Sequence, residues 1–290
     1  MRVAEWTEYE LIDCSDGERL ERWGSGCDSY LLVRPDPQVL WSTPRTHPGW
    51  SKPDARYRRS GTGGGNWEDN ALPERWRIVR NHLRFQIGLM NFKHVGLFPE
   101  QAVNWDTMTS LIERHGRPVN ALNLFAYTGG ATAALASAGD TQVCHVDAAR
   151  GMVVWARENA ALSGLSDRPI RWIVDDCVKF VERERRRGVR YDAIIMDPPS
   201  YGRGPGGEIW KLEERLFPFI QLTAELLSEH PCFFLVNSYT TGLSPSVMEY
   251  VLGSVLQKKY GGTVTSDELG LPVRESGLVL PCGSTAIWTP

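Results

Sequence analysis

Several things are scarce or missing in this 290-residue chain, and each absence removes a class of protein. No run of about 18 apolar residues occurs, which excludes a membrane-spanning helix of ordinary length. No secretory leader is visible either, so the expectation is a cytoplasmic protein. The six cysteines (Cys14, Cys27, Cys144, Cys177, Cys232, Cys282) form no C-x-x-C pair, and no His/Cys cluster stands at metal-ligand spacing. Reduced thiols and no metal are the expectation. Net charge is also small, at −3, which on average argues against a protein that coats nucleic acid. Glycine is plentiful at 28 residues but follows no Gly-X-Y period, so a collagen-like chain is excluded.

What is present is the material of a packed core, with 42% hydrophobic residues and eleven Trp. The length exceeds that of one typical domain, which favours a large domain joined to a smaller one. The small net charge also hides a segregation. Residues 45–93 carry ten Lys and Arg against Asp54, Glu68, Asp69 and Glu74, whereas residues 1–24 carry seven acidic residues against three basic.

The chain changes character near residue 115. Before it, short alternating stretches such as Tyr30-Leu-Leu-Val-Arg34, Trp76-Arg-Ile-Val79 and Leu83-Arg-Phe-Gln-Ile87 are separated by Pro, Gly and Asn clusters, the pattern of antiparallel strands. Residues 1–115 therefore read as a small β-rich module, with Ser60-Gly-Thr-Gly-Gly-Gly-Asn66 as a flexible loop. From 116 to 290 the pattern is apolar strand, turn and amphipathic helix, repeated. Strands are expected at 119–125, 142–146, 170–174, 193–196, 232–237 and 285–288, and helices at about 130–138, 149–163, 177–187, 210–229 and 245–258. Such alternation requires a parallel sheet covered on both faces, a doubly wound α/β domain. The last strand follows an irregular stretch, so it is expected antiparallel near one edge.

Ligands of open α/β sheets bind beyond the carboxyl ends of the strands. The first strand runs into Asn123-Leu-Phe-Ala-Tyr-Thr-Gly129-Gly130, where paired glycines allow a sharp turn into a helix. The spacing is not G-x-G-x-x-G, which argues against a dinucleotide. The second strand ends at Asp147, a carboxylate able to accept both hydroxyl protons of a ribose. The third ends in Asp175-Asp176-Cys177, whose carboxylates can accept from an adenine amine or cap the following helix. The fourth ends in Asp197-Pro198-Pro199-Ser200-Tyr201: two prolines fix an extended turn that offers acceptors without donors, and Tyr201 offers a face for a base to stack on. An amine or ring nitrogen of a nucleobase would suit that turn. Arg56, Arg58 and Arg59, set among Trp50, Tyr57 and Trp67, are candidate contacts to RNA phosphate and exposed bases. A second basic run, Arg183-Glu-Arg-Arg-Arg187, reads better as a solvated helix end.

Taken in order, these segments resemble the class I S-adenosylmethionine-dependent methyltransferases, and within them the bacterial large-subunit ribosomal RNA methyltransferases. The resemblance covers about 80–290 and includes Lys93-His-Val-Gly-Leu-Phe98-Pro-Glu-Gln101, which looks like the family's K-T-G-x-F-x-x-Q segment. It implies a Rossmann-like methyltransferase sheet, S-adenosylmethionine as cofactor and RNA as partner. It would set Phe125, Tyr127, Thr128 and Gly129 along the methionine and sugar of the cofactor, Asp147 on the ribose, and Asp176 with the Cys177 backbone on the adenine. Asp197, Pro198 and Tyr201 would then be catalytic, with Lys93 and Gln101 as candidate substrate contacts.

Two features depart from that family. Its cytosine-5 members carry a nucleophilic Cys after the fifth strand, because C5 reacts only once a thiolate has added to the ring. Here the segment reads Val236-Asn-Ser-Tyr-Thr-Thr-Gly242, and Cys232 falls at the strand's start, so covalent cytosine-5 chemistry is not expected. Residues 1–80 also do not look like the RNA-binding module that commonly precedes this domain. A small-molecule or protein methyltransferase, and a silent cofactor-binding or RNA-binding adaptor, therefore stand as alternatives. A nicotinamide dehydrogenase is disfavoured by the glycine spacing.

Overall fold

The strand Ala193–Met196 is buried at every position, as is Phe233–Ser238, whereas Ile170–Val174 mixes half-buried with exposed residues. That contrast is what central and edge strands of a doubly covered parallel sheet require. The structure is a computed structural model and describes residues 1–61, 64–69, 72–203, 209–240 and 242–290. Two compact units divide the chain: Met1–Ala102 with Gly270–Cys282, and Val103–Leu269 with Gly283–Pro290. The division falls at 102 rather than 115, because residues 102–115 form an amphipathic helix and not another strand of the β-rich module. Residues 270–282 return to the first unit, which no local pattern announces.

The smaller unit contains β1 (Arg2–Val3), β2 (Tyr9–Ser15), β3 (Glu18–Trp23), β4 (Tyr30–Pro35), β5 (Ala55–Arg59), β6 (Gly65–Asp69), β7 (Trp76–Arg80) and β8 (Leu83–Ile87). Strands β2 to β6 form one sheet in sequence order, and β7 pairs with β8. The glycine-rich segment 60–66, expected as a loop, is the tip of the β5–β6 hairpin, with Arg58 opposite Asn66 and Arg59 opposite Gly65; Thr62 and Gly63 lie outside the described residues. The interior of this unit is partly ionic. Glu21 accepts from Arg34 at 2.5 and 2.8 Å and from the Tyr9 hydroxyl at 2.8 Å, all buried. Burial alone would raise the Glu21 carboxyl, but the Arg19 and Arg34 guanidiniums outweigh it and hold it at about 2.

The larger unit follows the alternating pattern: α1 (Ala102–His115), β9 (Val119–Leu124), α2 (Gly130–Ser137), β10 (Thr141–Asp147), α3 (Arg150–Leu162), β11 (Ile170–Val174), α4 (Cys177–Arg187), β12 (Ala193–Met196), a small hairpin β13 (Tyr201–Arg203) with β14 (Ile209–Lys211), α5 (Leu212–Ala224), β15 (Phe233–Ser238) and α6 (Pro245–Leu252). A π turn then leads into α7 (Lys258–Tyr260), followed by β16 (Thr263–Pro272) and β17 (Val279–Thr289), of which residues 270–272 and 279–282 belong to the smaller unit. In the eight-stranded sheet β16, β17, β15, β12, β9, β10 and β11 follow one another in that order, with β1 as the strand beyond β16. β9, β10, β11, β12 and β15 run parallel, and β17 is antiparallel to β15, as expected for the last strand. From β9 the chain steps outward through β10 and β11, then returns to place β12 on the other side. The strand order therefore reverses between β9 and β12, where ligand crevices of such sheets open.

One apolar core holds this sheet to its helices, with Leu122, Phe180, Ile194, Phe219, Phe234 and Trp288 among its members. Each such side chain contributes about 1.5–3 kcal/mol on leaving water. Helix α4 shows how locally the sequence sets its bounds: Asp176 caps its start, three arginines fill its last turn, and Gly188 ends it in the left-handed conformation.

Candidate active site

Among the described residues of the larger unit, the non-glycine residues with positive φ fall in the loop leaving β9. Phe125 (φ 55°) and Tyr127 (φ 50°) are non-glycine residues in the left-handed region, and Gly129 (φ 83°) follows. Such residues cost about 1–3 kcal/mol each and persist where their surroundings hold them. The holders are visible. Asp147 at the end of β10 accepts from the Tyr127 N–H at 2.9 Å and from the Ala149 N–H at 2.8 Å. The Cys177 thiol accepts from the Phe125 N–H at 3.3 Å, and the Asn159 amide donates to the Thr128 carbonyl at 2.9 Å.

The two glycines of this loop serve packing. A Cβ on Gly129 would stand 2.8 Å from the Cβ of Ala156, and one on Gly130 would stand 2.5 Å from the Trp105 ring. They allow α2 to start against α1 and α3. Thr128, like Gly129 and Gly130, is buried, whereas Phe125 and Tyr127 are half-buried. The Asp147 carboxyl is raised by burial and lowered in part by the Ala149 and Tyr127 N–H groups.

At the end of β11, Asp176 spends Oδ1 on the Lys179 N–H at 2.9 Å as the helix cap, while Asp175 pairs with Arg183. Arg183 thus has a specific partner, more than the solvated helix end expected of it. The Cys177 side chain is buried, and burial pushes its thiol well above the ordinary range.

The turn after β12 is fixed from three directions. Asn237, at the end of β15, donates through Nδ2 to Asp197 Oδ1 at 2.9 Å. The Trp210 indole donates to the Pro199 carbonyl at 2.7 Å, and the Ser200 and Thr240 hydroxyls lie 2.6 Å apart. The Trp210 ring also packs on Phe125 at 5.2 Å and on Phe219 at 5.6 Å, so one aromatic cluster joins the β9 loop to the β12 turn. Pro198 is buried, Asp197 half-buried, and Tyr201 is 54% exposed on β13. Asn237, Trp210 and Trp105 were not singled out in the sequence, where no motif marks them.

Phe125, Tyr127, Asp147, Asp176, Cys177 and Asp197 thus all stand at the carboxyl ends of β9, β10, β11 and β12. The other candidates belong to the smaller unit. Lys93 donates from Nζ to the Pro35 carbonyl at 3.1 Å, and burial, helped by Arg19, pushes its ammonium down to about 8. Gln101 ends a 3₁₀ turn, Pro99–Gln101. Arg56 is committed to Glu18 at 2.7 Å and to the Trp50 carbonyl at 2.5 Å, Arg58 pairs with Glu68 across the hairpin, and Arg59 is exposed. Cys232 lies at the amino end of β15, its thiol pushed up to about 12 by burial, far from the turn that a cytosine-5 nucleophile would need.

A cavity of about 420 Å³ opens at the amino ends of β9, β10 and β11, but its Arg171 and Tyr191 are both committed to the buried Glu184. The chemistry belongs at the other end. The donor set there fits S-adenosylmethionine: Asp147 and Asp176 are acceptors suited to a ribose diol and an adenine amine, and the strained β9 loop presents backbone beside them. Those carboxylates would instead repel a pyrophosphate.

Comparison with known proteins gives a family for this stretch of the chain. A family model for S-adenosylmethionine-dependent methyltransferases matches residues 47–215. A crystal structure of a methyltransferase of this kind from Agrobacterium tumefaciens is 36% identical, with a TM-score of 0.91, and the alignment covers 99% of this chain and 92% of that one. A second, from Streptococcus mutans, shares the fold at 18% identity with a TM-score of 0.72, covering 98% of this chain and 75% of that one. Among curated relatives, the ribosomal RNA large subunit methyltransferase K/L of Shewanella frigidimarina is 32% identical over 118 residues, 41% of this chain. That of Methylococcus capsulatus is 34% identical over 118 residues. The match spans only 16% of the Shewanella protein's length and 15% of the other's. With the family model covering more than half the sequence and one solved relative aligned almost end to end, the chain belongs to the S-adenosylmethionine-dependent methyltransferases.

Proposed function

We propose that this methyltransferase modifies an amine or ring nitrogen of a nucleobase in ribosomal RNA, in the cytoplasm. The observation that carries the reading is the β12 turn, where Asp197 is anchored by Asn237 at 2.9 Å and Tyr201 stands exposed close by. The cofactor supplies a methyl group on a sulfonium, already activated for departure. The protein's task is then positioning. The Asp197 carboxylate and the Pro198 carbonyl accept the N–H bonds of an incoming amine and aim its lone pair at the methyl carbon. Tyr201 supports the base by stacking. Bound S-adenosylmethionine would supply the methyl carbon, and the Asp197 carboxylate, set on the amine N–H, would stand where the proton released on methylation passes to it or to water. Phe125, Tyr127 and Asp147 would hold the cofactor's methionine and ribose, and Asp176 with the Cys177 backbone its adenine.

The naming of the curated relatives supports an RNA substrate, and the basic stretch 45–93 supports the smaller unit as the part that selects it. The test is mass mapping of ribosomal RNA from a strain lacking the gene against its parent, with purified protein added back. Loss of one methyl group, restored by wild-type protein and not by Asp197→Ala that still binds cofactor, is expected. Unchanged ribosomal RNA would overturn the substrate, and full turnover by Asp197→Ala would overturn the site.

A further inference from the structure

The Asn237 side chain is 1% exposed at the carboxyl end of β15, and its two amide ends are treated unequally. Nδ2 donates to Asp197 Oδ1 at 2.9 Å, whereas Oδ1 is buried without a hydrogen-bond partner. A buried amide left half unsatisfied is a net liability to folding, so it calls for an explanation other than stability. An apolar side chain of similar volume would fill the same space without that cost. What only the amide supplies is a fixed donor to the Asp197 carboxylate.

The fold makes that donor rigid. β12 and β15 are adjacent parallel strands whose register pairs Met196 with Val236, so Asp197 and Asn237 are the next residues along each strand at the same end of the sheet. β15 is held on its other side by β17, where Asn237 stands opposite Thr285 and Ser238 opposite Ser284. Asn237 is therefore clamped in the middle of the sheet, while Asp197 begins a turn that Trp210 and Thr240 hold at Pro199 and Ser200, two and three residues further on.

We infer that Asn237 is a positioning residue for methyl transfer: it fixes the orientation of the Asp197 carboxylate toward the acceptor nitrogen and does not itself touch cofactor or substrate. This rests on the reading of the β12 turn as the active site.

The experiment is a double-mutant cycle of wild type, Asn237→Ala, Asp197→Ala and the double variant. Methyl incorporation is measured into ribosomal RNA from a strain lacking the gene, and cofactor affinity by calorimetry. Asn237→Ala is expected to lower kcat at least 10-fold with cofactor Kd unchanged within 2-fold, and the double variant to be no slower than Asp197→Ala. Asn237→Asp, close in size but lacking the donor, should lose more than the alanine variant because it faces Asp197 with a second carboxylate. Losses that multiply in the double variant, or full kcat in Asn237→Ala, overturn the inference while leaving the site intact. Full kcat in Asp197→Ala overturns the site itself. The same four proteins are unfolded in urea, where Asn237→Ala should cost less stability once Asp197 is absent. Equal costs in both backgrounds, or failure of both position-237 variants to fold, would make Asn237 a structural residue and end the proposal.

Discussion

The Tyr127 N–H donates to Asp147 Oδ2 at 2.9 Å, so one carboxylate at the end of β10 sets the backbone of the loop that leaves β9. Its other oxygen accepts from the Ala149 N–H at 2.8 Å, which fixes the start of α3 as well. Asp147→Ala removes both bonds, each worth about 1.5–3 kcal/mol as hydrogen bonds to a charged group. Part of that loss appears as a loosened cofactor loop. The expected result is roughly 100-fold weaker S-adenosylmethionine binding by titration calorimetry. Asp147→Asn keeps one amide oxygen as acceptor and should fall between. Unaltered affinity in Asp147→Ala would separate this carboxylate from the cofactor.

The paired glycines make a different prediction. Gly130→Ala would set its Cβ 2.5 Å from the Trp105 ring, and Gly129→Ala would add a left-handed φ of 83° to a 2.8 Å contact with Ala156. Overpacking of this kind costs about 1–3 kcal/mol, and the left-handed backbone adds about 1–2 kcal/mol at position 129. Urea midpoints should fall in the order wild type, Gly130→Ala, Gly129→Ala. Trp105→Leu should recover part of the loss in Gly130→Ala and none in Gly129→Ala, and equal recovery in both would contradict the packing account.

The larger unit was legible because its burial is apolar. β12 and the first four residues of β15, Phe233 to Val236, read as unbroken hydrophobic runs, and α4 announces itself through Asp176, its arginines and Gly188. β3 was not legible: Glu18-Arg-Leu-Glu-Arg-Trp23 has the charge spacing of an exposed helix, yet Arg19 and Glu21 are buried in ion pairs. A strand whose inward residues are charged defeats hydrophobic alternation. β16 was missed for a related reason, since Asp267, Glu268, Gly270 and Pro272 give it the composition of a loop. The three acidic strand ends of the site, at Asp147, Asp175-Asp176 and Asp197, were readable because each follows its own strand-forming run. Asn237 was not, because its partner Asp197 lies 40 residues away and only the sheet order makes them neighbours.

His145 makes stability depend on pH in a stated direction. It is fully buried on β10, with Nδ1 2.8 Å from the Thr132 hydroxyl, and burial pushes its imidazole down to about 3. The unfolded chain takes up that proton below about 6.5 while the folded chain does not, so stability is complete above about 6.5 and lost as pH falls toward 3. The slope is at most about 1.4 kcal/mol per pH unit for this one group. His94 in the smaller unit, lowered to about 3 by burial and then by Arg34, acts in the same sense. Urea midpoints measured from pH 7 to pH 4 should decline for wild type and decline less steeply for His145→Asn. Parallel curves would mean that the imidazole is charged in the folded protein.

Arg56, Arg58 and Arg59 separate architecture from RNA contact. Arg56 bonds Glu18 and the Trp50 carbonyl inside the smaller unit, Arg58 pairs with Glu68 where both are well exposed, and Arg59 points to solvent. Exposed arginines that meet phosphate release counterions, so each one removed should lower the salt slope of RNA binding by about 1. Binding of ribosomal RNA from a strain lacking the gene, titrated across salt concentrations, should weaken for Arg59→Ala and for Arg58→Ala, with a shallower salt dependence in both. Arg56→Ala should instead lower the melting temperature, because it leaves Glu18 with Arg45 as its remaining arginine partner and takes a donor from the Trp50 carbonyl, and keep the wild-type salt slope. If wild-type affinity scarcely responds to salt, a small-molecule or protein acceptor replaces RNA as the substrate class.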